Sequence, residues 1–154
     1  MRSDTRRLFW QGHQKARDTA RAMSQEQLEV IRRVLAFFNS GGDAELAEEP
    51  IEPEAKFEPL LAGVEGEYRG PAGVMKWLSE LNEMFEEVHG DFSRIEEFGE
   101  VILATGKMTG RGRGSGVSVE QDLFAVARFR KGRVAYAGVR LTRAEALYAA
   151  GLKE

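Results

Sequence analysis

The alternation of apolar and polar positions is clearest between Val101 and Phe129, where two strand-length segments meet at a glycine-rich turn. With Gly114-Ser115 as a two-residue turn, Ile102, Ala104, Gly106 and Met108 face Ala127, Ala125, Leu123 and Gln121 respectively. A turn with glycine first suits the hairpin types whose twist matches that of the strands. Both strands then share one apolar face made largely of small side chains. Such a face predicts a curved sheet lining a hollow, and Gly106, Gly110 and Gly112 permit the curvature.

Other periods place the remaining elements. Ser24 followed by Gln27 reads as a helix-opening capping box, and Leu28, Ile31, Val34, Leu35 and Phe38 recur at helical spacing before Asn39-Ser40-Gly41-Gly42. Asp43 is placed to cap a short second helix through about Glu49, ended by Pro50 and Pro53. Lys56 to Leu61 reads as a short strand, with Pro59 at an edge or bulge. A helix is predicted from Pro71 to about His89, with Val74, Trp77, Leu78, Leu81, Met84, Phe85 and Val88 as its apolar stripe. Phe92–Phe98, Val101–Arg113, Val117–Arg130 and Arg133–Leu141 then form an antiparallel meander. Thr142 with Glu145 opens a terminal helix that Gly151 ends.

Composition adds limits. The 154 residues, 42% apolar and 31% charged, fit one globular domain. No apolar run approaches the ~20 residues a membrane helix needs, and the net charge of −3 does not suit a nucleic-acid binder. The absence of cysteine excludes disulfides and fits the cytoplasm. Charge is uneven: residues 1–22 carry Arg2, Arg6, Arg7, Lys15, Arg17 and Arg21, whereas residues 43–58 hold seven acids against Lys56. Residues 1–22 are expected to be a dispensable basic extension preceding a single domain over 23–154.

The segments EYRGPAGVMKWLSELNEMFEE (67–87), RGRGSGVSVEQDLFAVARFRKGRV (111–134) and LTRAEALYAAGL (141–152) make the chain resemble the SnoaL-like branch of the nuclear transport factor 2 superfamily. The resemblance spans about residues 24–152. It implies an α+β cone, cystatin-like, with a strongly curved antiparallel sheet wrapped around N-terminal helices. It also implies a homodimer with one pocket per subunit. Members include polyketide cyclases, ketosteroid isomerases and non-catalytic binding domains. Family members often carry polar or aromatic residues where Ala125 and Ala127 stand, and a tyrosine where Arg140 stands. Active cyclases and isomerases place an acid in the pocket.

Two weak candidates for such an acid are Asp122 and Glu58. In the hairpin register Asp122 pairs with Lys107 on the face away from the apolar side chains, so its structural reading is an ion pair. A one-residue slip turns it inward. Glu58 becomes a base only if buried, where desolvation raises its pKa; a region of seven acids, Glu58 among them, favours a solvated face. Gln121 is the polar residue on the predicted inner face, needing a partner or a ligand.

The face of Arg140 depends on the last turn. If Lys131-Gly132 is a plain two-residue loop, Val134, Tyr136, Gly138 and Arg140 join the face of Ala127 and Ala125. If a bulge adds a residue at Gly132, Ala135, Ala137, Val139 and Leu141 do so instead. The first register, slightly preferred, gives a pocket lined by Gln121, Arg140, Tyr136, Trp77, Leu123, Ala125, Met108, Phe57 and Phe92, suited to a carboxylate or enolate. Tyr68 is expected near its mouth, and His89 near a helix end. The second register gives a greasy pocket.

Two histidines and no cysteine make no ordinary zinc site, and no phosphate loop or Ser/His/Asp arrangement is visible. No cofactor is expected. The function reading is a pocket for a hydrophobic small molecule, its activity unassigned. The alternative is a cofactor-independent isomerase or cyclase that abstracts a proton next to a carbonyl. Phe124 and Val126, with Val139 or Ala137, are expected to form an outer apolar patch that a second subunit covers.

Overall fold

The computed structural model describes residues 25–46, 48–60 and 68–152. The basic extension and the Ser24 cap lie outside them. Helix α1 occupies residues 25–39, and Leu28, Ile31 and Val34 pack against the sheet. Strand β1 (Ile51–Glu58) and the short β2 (Tyr68–Arg69) follow, then α2 (Gly70–Met84), β3 (Phe85–Phe98), β4 (Val101–Gly112), β5 (Ser118–Arg130), β6 (Arg133–Arg140) and α3 (Arg143–Ala149). The six strands form one curved, unclosed sheet in the order β2-β1-β6-β5-β4-β3. Every pairing is antiparallel except β1 with β6, which is parallel, so the sheet is mixed.

The β4–β5 register is as the alternation predicts, with Ile102 on Ala127, Ala104 on Ala125, Gly106 on Leu123 and Met108 on Gln121. The turn is wider than two residues. Gly112 and Val117 close it by a 2.9 Å hydrogen bond, and Gly114 and Gly116 take the left-handed conformation. At Gly106 a Cβ would lie 2.5 Å from the Asp91 carbonyl oxygen, so only glycine lets β3 press this close at its bulge.

Three expectations for the first half are corrected. Residues 43–46 and 48–49 form bends, a turn and irregular chain instead of a helix, and β1 begins at Ile51 rather than Lys56. Pro53 sits in the irregular stretch between the paired residues Ile51 and Lys56, where a missing N–H costs no ladder bond. The third is α2, which ends at Met84, so Phe85, Val88 and His89 belong to β3. His89 is exposed opposite Thr109 and caps no helix.

Two cores result. On the concave face, Ile51, Ala55, Ile102, Ala127, Phe129 and Val134 receive α1. On the convex face, Val101, Leu103, Val126 and Tyr136 are covered by Ala146, Leu147 and Ala150 of α3. Thr142 caps α3 as expected, its hydroxyl accepting from the Glu145 N–H at 3.1 Å. The Arg143 guanidinium donates to Glu96 at 3.0 Å and lies over the Phe98 ring, fixing the helix to β3. The apolar patch expected on the outer face therefore does not assemble. The protein's own α3 covers Val126, and Ala137 and Val139 lie on the other face.

Candidate functional site

The last hairpin decides what faces the hollow. Lys131 and Gly132, both in the left-handed conformation, form the plain loop, and Arg130 pairs with Arg133 and Phe129 with Val134. The ladder then shifts: Arg128 pairs with Tyr136, leaving Ala135 as an extra residue. Beyond this bulge Ala127 faces Ala137 and Ala125 faces Val139, while Tyr136, Gly138 and Arg140 turn to the convex face. The bulge lies three residues beyond Gly132, but its effect is that of the second register.

Tyr136, Arg140 and Glu58 do come together, on the wrong side for a pocket. The Arg140 guanidinium donates to Glu58 Oε1 at 3.2 Å, to the Tyr136 hydroxyl at 3.4 Å and to the Val139 carbonyl at 2.9 Å. The Tyr136 hydroxyl, held by burial and by its bond to Glu58, is pushed up to about 12. That same bond, with the nearby Arg140 and Lys56 charges, holds the Glu58 carboxyl below its ordinary value despite partial burial. Glu58 is thus an ionised strut joining β1 to β6, poorly suited to act as a base.

Asp122 pairs with Lys107 in the ladder, as the register predicts, with the charged atoms 4.0 Å apart. Its side chain is 83% exposed. Lys107 also bonds Glu120, which together with Asp122 and Asp91 raises the lysine above its ordinary value.

The hollow is filled through most of its depth. Trp77 stacks on Phe38 with ring centres 5.5 Å apart and meets Phe57 edge-on at 5.3 Å. Tyr68 is buried beside them, its hydroxyl bonded to Glu80, so it does not stand at a mouth. Leu123 and Ala125 lie on the concave face of β5, and Phe92 on that of the edge strand β3. Trp77, Phe57 and Ala127 border a small apolar void of about 110 Å³ beneath α1.

Larger space opens where the β4–β5 hairpin turns. A cavity of about 460 Å³ is walled by Leu60, Leu81, Phe85, Val88, Met108 and Val119, with Gln121, Ser118, Thr109 and Glu120 as its polar groups. Its wall on β3 depends on the bulge between Glu86 and His89, where Glu87 takes φ 57° and pairs with Arg111 at 3.1 Å. That extra residue lets Phe85 and Val88, three apart, both point inward. Arg113 closes the end of α2, its backbone N–H donating to the Met84 carbonyl at 3.0 Å. Of the residues expected to line a pocket, Gln121 and Met108 border this cavity. The Gln121 amide nitrogen donates to the Asp122 carbonyl at 2.9 Å, and the residue is exposed at the rim instead of buried.

The model of the SnoaL-like domain family matches residues 31–137. The chain belongs to this family. No curated protein is significantly similar in sequence. Among solved structures, an NTF2-like protein of unknown function from Burkholderia pseudomallei is 17% identical, with a TM-score of 0.65 over 80% of this chain and 95% of its own. A protein with a ketosteroid isomerase-like fold from Catenulispora acidiphila, in complex with trimethylamine, is 13% identical, with a TM-score of 0.60 over 80% and 93%. TerC, co-crystallised with polyporic acid, is 16% identical, with a TM-score of 0.64 over 76% and 92%. These likenesses bear out the α+β cone, and they leave this SnoaL-like protein without an assigned activity.

Proposed function

We propose that this SnoaL-like protein binds a hydrophobic small molecule in the cavity at the β4–β5 hairpin turn. The observation that carries the reading is the cavity itself: about 460 Å³, walled by six apolar side chains, with a few polar groups gathered on one strand pair. That size and mixture are typical of small-molecule sites. The isomerase or cyclase reading is less well supported. It needs a carboxylate facing the ligand in a desolvated position, and both Asp122 and Glu58 lie on the convex face. Two structural neighbours hold small organic molecules, which supports the same use of the fold here.

The test is a thermal-shift panel of steroids, polyketide-like aromatics, fatty acids and amines on the wild type and on Met108→Trp, which fills the cavity. Binding by the wild type that the variant loses supports the reading. Equal binding by both would move the ligand elsewhere.

A homodimer in the cytoplasm completes the proposal, on the strength of the family and of a chain without cysteine. Sedimentation at micromolar concentration tests the dimer. Phe124→Asp is a poor probe for it, because Phe124 packs against the core under α3 and its loss would destabilise the subunit itself.

A further inference from the structure

Two apolar spaces lie along α2, and a thin layer of side chains separates them. Trp77 borders the void of about 110 Å³ beneath α1, with Phe38, Phe57, Val74 and Leu78. Leu81 borders the cavity of about 460 Å³ at the hairpin turn. The two residues are one helical turn apart on α2, a rise of about 6 Å. Both belong to one buried cluster. Phe38 and Phe57 from the walls of the void pack against it, as do Phe85, Val88 and Met108 from those of the cavity. Ala55, Ala127 and Ala137 stand among the sheet residues that border the void, so the bulk of the partition comes from the helices. Trp77 stacks on Phe38 at an interplanar angle of 17° and meets Phe57 edge-on, which fixes the indole between α1 and β1.

We infer that the Trp77–Leu81 partition determines how long a ligand the site accepts. This rests on the binding role proposed above. A ligand seated against Leu81 and Met108 meets the partition at its inner end and does not run on under α1. The void beyond is apolar in its lining apart from Lys56, so it would accept a hydrocarbon extension and give a polar one no partner. Trp77 and Leu81 are therefore specificity-determining residues, and thinning either joins the two spaces into one deeper site.

Rigid rods test it, because they cannot fold back within the outer cavity: 4-phenylphenol and its one-ring-longer homologue 4-hydroxy-p-terphenyl, titrated into the whole chain and its variants. The wild type is expected to bind the two within about threefold of each other, since the third ring stays in water. Trp77→Leu and Leu81→Ala should each bind the longer rod roughly tenfold tighter than the shorter. Either variant suffices if the other loses its cooperative unfolding transition. Ala137→Leu, added to either, fills the void and should cancel the gain. A wild type that already prefers the longer rod as strongly, variants with the wild-type ratio, or a gain that survives Ala137→Leu overturns the partition and leaves the pocket standing. Failure of the wild type to bind either rod overturns the pocket as well.

Discussion

Ala127 pairs with Ala137, and the residue next to it in sequence, Tyr136, pairs with Arg128 on the opposite face. The offset comes from the single extra residue Ala135. It sends the hydroxyl of Tyr136 and the guanidinium of Arg140 to the convex side, where they lock Glu58, and it leaves the concave side to alanine and valine. A charge-stabilising pocket and a greasy one thus differ by one bulge.

The Glu58–Tyr136–Arg140 cluster makes stability depend on pH at both extremes. Glu58 is lowered in the folded state, so its contribution is present above its ordinary value and is lost as pH falls through the folded one. Tyr136 is raised to about 12, so the fold favours its neutral form. That contribution is complete below the ordinary value of ~10 and is lost as pH climbs through about 12. Urea midpoints measured across pH should show a weaker acid limb in Glu58→Gln and a weaker alkaline limb in Tyr136→Phe. Unchanged limbs would mean that the cluster carries no linkage.

Asp122→Asn should shift stability by less than about 0.5 kcal/mol and leave ligand binding as in the wild type, since the side chain is 83% exposed beside Lys107. A large loss of binding would place Asp122 at the ligand and revive the acid–base reading.

Thr142→Ala should cost about 1 kcal/mol through loss of the α3 cap. The effect should appear as faster amide exchange on the convex face, at Leu103 and Val126, because α3 is what covers them. Exchange altered only within α3 would show that the helix is not needed to protect the sheet.

Lys131 holds φ 52° at the β5–β6 turn, a conformation that strains a side chain. Lys131→Gly is expected to raise stability by up to about 1 kcal/mol, read as a shift of the denaturation midpoint. A fall in stability would mean that the lysine side chain makes an interaction worth more than the strain.

The alternation between Val101 and Phe129 made the central hairpin legible, because towards its turn the charged residues fall on one face and a one-residue slip would turn Lys107 and Asp122 inward. Asp122 was placed outward for that reason. The bulges were not legible. Phe85 and Val88 fall three apart, which is helical spacing, and only the bulge at Glu87 makes the same spacing a strand with both residues inward. Ala135 carries no residue type that marks a bulge, so Arg140 and Tyr136 could be assigned to either face. The cavity escaped for a related reason. Its walls come from Leu60, Leu81, Phe85, Val88 and Val119, which four separate elements or their flanks bring together. Pro50, Pro53 and the acids around them concealed β1, whose partner β6 lies over seventy residues away in the chain and runs parallel to it.

The most direct test of the ligand cavity is calorimetric titration, into the wild type and into Met108→Trp, of the compounds among steroids, polyketide-like aromatics, fatty acids and amines that shift the wild type's melting. Saturable one-to-one binding by the wild type, abolished by Met108→Trp in a protein with an unchanged unfolding transition, is the predicted result. Binding that survives the filled cavity, or no binding by the wild type, would contradict the account.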